Sequence, residues 1–236
     1  MMQKSFFLFL FCWTTINLHA QFSIGPKIGM NITSLYGDES NDHNNYKLGL
    51  QIGLSGEYQF NETWALQSGV LYSQCGAMAK MILPTSSTGR YSDIMKMVTN
   101  LNYLRMPVNA MTKIPLGKSK LLFQAGPYLG YGIGGKNKIW INDDKITGSQ
   151  WKAIEDELGV GERLSMGNGS DDLYKAFDFG LGAGIGIQLG RHFQFLAEGN
   201  LGLIDIANDF TYDGITESYT DKNYGFSISL ICFLSK

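Results

Sequence analysis

The stretch Phe177–Gln188, FDFGLGAGIGIQ, alternates strictly between apolar residues and small or polar ones. Its odd-numbered positions carry Phe, Leu, Ala and Ile, whereas its even-numbered positions carry Asp, four glycines and Gln. Side chains two residues apart share one face of a β-strand, so the pattern predicts a strand with one apolar face. Solvent-facing sheets rarely use glycine, which is a poor strand residue. The pattern therefore favours a strand with lipid on its apolar side and a crowded interior on the other.

The same alternation recurs in eight segments of about 10–15 residues, the length of a tilted strand that crosses a bilayer. The fold predicted is all-β, an eight-stranded antiparallel transmembrane up-and-down β-barrel. A soluble β-sandwich with its apolar face packed inward is the alternative. The predicted strands are Phe22–Thr33, Tyr46–Phe60, Thr63–Ser73, Thr99–Lys113, Leu121–Gly135, Phe177–Gln188, His192–Ile204 and Tyr224–Leu230.

The connections between these segments alternate between long and short. The long ones have about 12, 20, 40 and 18 residues, and the short ones that separate them have about 2–6 residues. Outer-membrane barrels have short periplasmic turns and longer outer loops. The order of lengths therefore predicts that both termini are periplasmic. Aromatic residues at both ends of the apolar faces agree with two interfacial girdles: Tyr58, Trp64, Phe123 and Phe193 near the short turns, and Tyr72, Tyr131, Phe177 and Tyr224 near the long loops.

The N-terminus has the features of an export signal. A basic start is followed by the apolar run Ser5–Trp13, which is too short to span a bilayer. We expect residues 1–20 to be a signal peptide cleaved after Ala20, and residues 21–236 to form the barrel domain. Cys75 and Cys232 remain after cleavage, and the strand layout puts them near opposite ends of the barrel. We therefore expect free thiols.

Composition and charge exclude several classes of function. The net charge is −2, only 17% of residues are charged, and no basic run occurs, so nucleic acid is not an expected partner.

The inner faces of the predicted strands carry three cations and three anions. We expect them to pair into a structural network that fills the lumen, because an unpaired buried charge is costly. These residues are Lys27, Lys47, Arg105, Glu57, Asp178 and Glu198. A narrow ion pathway is the alternative.

The sequence does not favour an enzyme. Only His43 and His192 follow the predicted cleavage site, and neither has an evident Ser and carboxylate partner in register. Gly130–Gly135 matches G-x-G-x-x-G without the helix that a dinucleotide site requires. We expect no catalytic residue, cofactor or metal, and keep a lipid-modifying barrel enzyme as a remote alternative. Ser149–Leu158 has helical spacing and predicts a short amphipathic helix over the barrel mouth.

Five stretches carry a resemblance to a known family: QFSIGPKIGMNIT at Gln21–Thr33, YLRMPV at Tyr103–Val108, GPYLGYG at Gly126–Gly132, DFGLGAGIG at Asp178–Gly186 and NYGFSISLICF at Asn223–Phe233. In their order and spacing they resemble the small outer-membrane β-barrel proteins of Bacteroidetes, PorT-like and akin in architecture to OmpX and OmpA. Members often carry an acidic residue where Arg105 stands. The resemblance implies an integral outer-membrane protein and fixes no activity.

These observations together predict a non-enzymatic outer-membrane barrel with a structural or interaction role through its long outer loops. A narrow, porin-like pore and a PorT-like secretion accessory are the alternatives. The expected partners are outer-membrane lipid and an extracellular ligand or a membrane protein that the sequence does not identify.

Overall fold

The computed structural model describes residues 21–37, 44–84, 92–142, 144–147, 150–152, 161–167, 169, 172–212, 215–217 and 220–234. Within these residues the chain forms fourteen strands. They are β1 (Phe22–Tyr36), β2 (Asn44–Asn45), β3 (Lys47–Gln59), β4 (Trp64–Cys75), β5 (Met78–Pro84), β6 (Ser92–Leu116), β7 (Ser119–Ile141), β8 (Asp144–Lys145), β9 (Arg163–Leu164), β10 (Phe177–Leu189), β11 (Phe193–Gly202), β12 (Phe210–Tyr212), β13 (Ile215–Glu217) and β14 (Lys222–Cys232).

Eight of these strands close into a ring. Each pairs antiparallel with its neighbours in the order β1, β3, β4, β6, β7, β10, β11 and β14, and β14 returns to β1. A closed ring leaves no unpaired backbone edge, which is the condition for a sheet in a membrane. The eight-stranded antiparallel barrel predicted from the alternation is confirmed. No described helix is long and apolar enough to cross a membrane.

The two faces of the ring are inverted relative to a soluble barrel. Along β1 exposed and buried residues alternate without interruption from Phe22 to Thr33. Ile28 is 51% exposed, whereas its neighbour Lys27 is 2% exposed. The predicted apolar faces of the other strands also point outward, and their polar faces point into the lumen. The outer surface is therefore suited to lipid, and the interior must satisfy polar groups.

Buried apolar side chains cluster near both ends of the lumen. Near the long connections, Leu35, Cys75, Leu101, Leu164 and Ile206 form a buried cluster with Tyr103 and Ala77. We call it the upper cluster. Leu164 comes from β9 in the connection between β7 and β10, so this connection folds into the mouth of the barrel. A lower cluster lies near the short turns and consists of Ala65, Met111, Leu122, Leu196, Ile231 and Phe233.

Strands β6 and β7 continue well past the barrel, which the sequence did not predict. β6 begins at Ser92 rather than near Thr99, and β7 ends at Ile141 rather than Gly135. The extension carries β5 on one side and β8 and β9 on the other. Its inner face packs Met95, Ile139, Ile146 and Trp151 together. Apolar residues on the inner face remove the alternation that marks the membrane strands, which is why the pattern stops short.

Three further predictions concern the short helix, the two cysteines and the signal peptide. Gln150–Lys152 is helical, and the rest of the predicted helix lies outside the described residues. Cys75 and Cys232 are free thiols; Cys75 belongs to the upper cluster, whereas Cys232 pairs with Phe193 beside a short turn. The predicted signal peptide, residues 1–20, lies outside the described residues.

Candidate functional site

The first buried ion pair of the lumen joins β1 to β11. The Lys27 Nζ lies 2.7 Å from Glu198 Oε2, and both side chains are almost fully buried. Gln124 donates to the other carboxylate oxygen at 2.8 Å, and Ser229 donates to Oε2 at 3.2 Å. Charge and hydrogen bonds are both satisfied on this carboxylate, which is the arrangement that makes a buried anion tolerable.

The second pair lies nearer the long connections. Asp178 Oδ2 accepts from Arg105 Nη2 at 3.1 Å, from Asn223 Nδ2 at 3.0 Å and from the Tyr128 hydroxyl at 3.3 Å. The guanidinium also lies over the Tyr128 ring, 4.4 Å from its centroid. Such a cation–π contact adds to the ion pair in a buried site. Asp178 is therefore the centre of a polar cluster drawn from four strands.

The third pair contains a residue that the sequence analysis missed. Glu57 pairs with Lys113, and its second carboxylate oxygen accepts from Gln194 Nε2 at 2.7 Å. Lys47, which we expected in the network, instead donates to the backbone carbonyl of Cys75 at 3.1 Å. Lys47 and Glu57 are ten residues apart on β3, about 33 Å along the strand. Lys113 has the same parity as Arg105 on β6, so extending the inner face to the strand end would have found it.

The three pairs thus occupy separate levels along the barrel axis. Glu57 and Lys113 lie near the short turns beside the lower cluster, Lys27 and Glu198 lie in the middle, and Asp178 lies below the upper cluster. Five of the six predicted lumen residues form ion pairs in the structure. The sixth, Lys47, donates a hydrogen bond to the backbone carbonyl of Cys75. Chemically, each level pairs one cation with one anion, and Lys47 adds a further buried cation that is hydrogen-bonded to a backbone carbonyl.

Glycines on the inner face make room for these side chains. A Cβ added to Gly180 would lie 2.6 Å from the Tyr128 ring, and one added to Gly130 would lie 3.1 Å from the Asp178 Cβ. Both glycines are buried and face the lumen. Glycine at these two positions therefore leaves room for an aromatic ring and a charged residue in a narrow interior.

Replacing Gly180 with Ala should lower the stability of the barrel by about 1–3 kcal/mol, because the new Cβ would overlap with the Leu201 carbonyl oxygen and lie 2.6 Å from the Tyr128 ring. The measurement is the temperature at which the fast-migrating unboiled band disappears from a gel. The control is Gly199→Ala, because a Cβ there meets only the Phe226 ring, at 3.4 Å. Equal effects of the two variants would contradict a packed lumen at Gly180.

Residues considered for chemistry do not form a site in the described part of the chain. His192 lies in the short turn before β11, where its carbonyl accepts from the Phe233 amide, and His43 lies outside the described residues. The Gly130–Gly135 run is part of strand β7. Among the described residues no three His, Cys, Asp or Glu side chains come together as metal ligands.

An exposed ion pair ties two of the long connections together. Lys175 Nζ lies 2.8 Å from Asp205 Oδ2, and Asp205 Oδ1 accepts from the amides of Ala207 and Asp221. Partial burial opposes ionisation, but the Lys175 ammonium and the two amides outweigh it and hold the pKa of the Asp205 carboxyl below its usual range. This carboxylate therefore stabilises the connection above the ordinary aspartate pKa.

The pKa of Asp205 predicts a loosening of these connections in acid. The contribution is fully present above about pH 3.9, the unfolded value, and is lost as the pH falls through the lower pKa of the folded protein. We expect the NMR amide signals of Ala207 and Asp221 to shift together with a midpoint below about pH 3.9. The Asp205→Asn variant should show no such titration. A common midpoint at or above the unfolded value would contradict the prediction.

Comparison with known proteins places this architecture in a family. The model of the "Outer membrane protein beta-barrel domain" family matches residues 16–208. A comparison with curated proteins found no match.

Several solved structures are similar in fold. OprG from Pseudomonas aeruginosa aligns over 92% of this chain and 97% of its own, with 11% identity and a TM-score of 0.46. Ail from Yersinia pestis, solved with the heparin analogue sucrose octasulfate, aligns over 91% and 99%, with 13% identity and a TM-score of 0.40. Neisserial surface protein A aligns over 89% and 96%, with 9% identity and a TM-score of 0.36. Because the family model matches most of the sequence, the chain belongs to the outer membrane protein β-barrel domain family.

Proposed function

We propose that this outer-membrane barrel is non-enzymatic and non-conducting, and that it works by binding a partner at its long-loop end. The observation that carries the proposal is the upper cluster, in which Leu164 of the β7–β10 connection packs against the barrel wall. Below it, three ion pairs fill the lumen, and the lower cluster closes the opposite end. Ions would have to pass two apolar clusters and an interior that contains three ion pairs and the buried Lys47.

The experiment is single-channel recording of the refolded protein in a planar bilayer. The expected result is a membrane that shows no conductance steps, with insertion verified by the boiled and unboiled mobilities of the same sample. Discrete steps at moderate voltage would overturn the proposal and favour the alternative of a narrow pore.

The orientation belongs to the same proposal. We place both termini and the short turns in the periplasm, and the long connections outside the cell, after removal of residues 1–20. This placement follows from the alternation of connection lengths. An epitope tag after Lys236 should be accessible to antibody only in permeabilised cells. The mass of the mature protein should be that of a chain that begins at Gln21. A tag accessible on intact cells would overturn the orientation.

The sheet extension supports the long-loop end as the binding end. It has its own apolar core of Met95, Ile139, Ile146 and Trp151. Such a core holds the extension in a defined shape outside the hydrocarbon layer of the membrane, as a recognition surface requires.

The second candidate function is a PorT-like secretion accessory, supported by the resemblance of the five sequence stretches. Cross-linking in the native membrane distinguishes the two functions. Recovery of periplasmic or membrane components of a secretion system would favour the accessory role, whereas cross-links only to external molecules would favour the stand-alone role.

A further inference from the structure

The sheet extension carries a row of basic residues across four strands. Lys80 of β5 pairs with Lys96 of β6, Lys96 pairs with Trp140 of β7, and Trp140 pairs with Lys145 of β8. Directly paired residues of antiparallel strands point to the same side of the sheet. These three lysines and the tryptophan therefore share one face, and the Lys96 Nζ lies 5.3 Å from the Trp140 ring centroid.

A second row lies closer to the barrel. Lys136 of β7 pairs with Asn100 on one side and with Arg163 of β9 on the other. Lys138, paired with Val98, lies between the two rows. We call the set of six cations the basic face. It consists of Lys80, Lys96, Lys136, Lys138, Lys145 and Arg163.

The basic face has no neutralising partner in the described part of the chain. All six side chains are exposed or half-exposed, and none forms an ion pair with another described residue. Asp144 precedes Lys145 in β8 and pairs with Ile141. Its side chain therefore points to the opposite side of the sheet from the basic face. Six like charges on one surface create a field that favours an anionic partner.

The basic face is continuous with the lipid-facing surface of the barrel. On β6 the outward positions run from Met106 and Leu104, both exposed and apolar, through Asn100 to Lys96. On β7 the pairing with β6 shifts by one residue beside Gly134, whose φ is 113°. This bulge keeps Lys136 on the same outer surface as the exposed side chains of Tyr131 and Ile133. Cations and a tryptophan thus begin within a few residues of the apolar belt.

We infer that the basic face binds the phosphate groups of the membrane lipids that surround the barrel. Lys136 and Lys138 follow the exposed Ile133 of the apolar belt by three and five residues, which puts their ammonium groups at headgroup depth, where long basic side chains reach the interface. Opposite charge identifies the phosphate, and continuity with the belt identifies a lipid as its source. The inference rests on the proposed orientation only in the choice of leaflet: with the long connections outside the cell, the lipids belong to the outer leaflet.

The test measures lipid retention by native mass spectrometry in dodecyl maltoside micelles. The probes are a short-chain phosphatidic acid, phosphatidylcholine of the same chain length, and inorganic phosphate. The variant Lys136→Gln/Lys138→Gln removes two charges from the part of the basic face that adjoins the apolar belt. The control Lys118→Gln/Arg191→Gln removes two exposed charges from the short turns at the other end of the barrel. Heat-modifiability verifies that each variant is a closed barrel.

The expected result is that the protein prefers phosphatidic acid over phosphatidylcholine, that the basic-face variant loses about tenfold in affinity for phosphatidic acid, and that the control retains it. Equal losses in both variants, equal binding of the two lipids, or inorganic phosphate binding as tightly as phosphatidic acid would each overturn the inference. Channel recordings test the proposed function separately, because a conducting barrel could still bind lipid on its outer surface.

Discussion

Replacing Lys113 with Met should destabilise the barrel by about 3–5 kcal/mol, because it leaves the Glu57 carboxylate buried without this cation. Gln194 would still donate to Glu57, but an amide supplies no charge. The effect is measured from the urea midpoint of the unfolding transition in lipid vesicles, followed by tryptophan fluorescence, for each variant beside the parent protein.

Two further variants show whether the loss comes from the charge. In Glu57→Gln/Lys113→Met both charges of the pair are gone, and most of the lost stability should return. Lys47→Met removes a buried lysine that donates to the Cys75 carbonyl and forms no ion pair with a described residue, so its cost should be about 1–2 kcal/mol. If Lys47→Met proved the more damaging single change, the assignment of Lys113 rather than Lys47 to the network would be wrong.

The contrast between Lys47 and Lys113 shows that the sequence predicts which residues face the lumen but not which of them form ion pairs. Which face a residue takes follows from the period of two, and the outward and inward positions of β1 and β10 agree with that rule. Which cation meets which anion depends on the stagger of strands that are not neighbours. Lys27 reaches Glu198 across the intervening β14, and no local pattern records that distance.

The neutral residues that donate hydrogen bonds to the ion pairs could not be predicted from the sequence either. Asn223, Gln194 and Tyr128 donate to the buried carboxylates, yet counting charges gives no reason to select them among many polar residues. The length of β6 and β7 was missed for a different reason. Past the membrane the inner face meets protein and the outer face meets water or headgroups, so alternation of apolar and polar residues is no longer required.

The second large effect is expected at Asp178, where three donors converge on one oxygen. Asp178→Ala should cost about 3–5 kcal/mol, since Arg105, Tyr128 and Asn223 lose their shared acceptor in a buried site. The same urea measurement applies. The double variant Arg105→Met/Asp178→Ala should recover part of the loss, whereas full recovery would mean that Tyr128 and Asn223 gain nothing from the carboxylate.

Combining Asp178→Ala with Lys113→Met tests whether the lumen is built of independent levels. Asp178 lies under the upper cluster and accepts from Arg105, Tyr128 and Asn223, whereas Lys113 lies beside the lower cluster and shares Glu57 with Gln194. Distant sites without shared partners add within about 0.3–0.5 kcal/mol. The losses should therefore sum, provided that the combined variant still folds in vesicles. A shortfall well beyond that margin would mean that the Lys27–Glu198 pair transmits strain between the levels, and the interior would then act as one cooperative network.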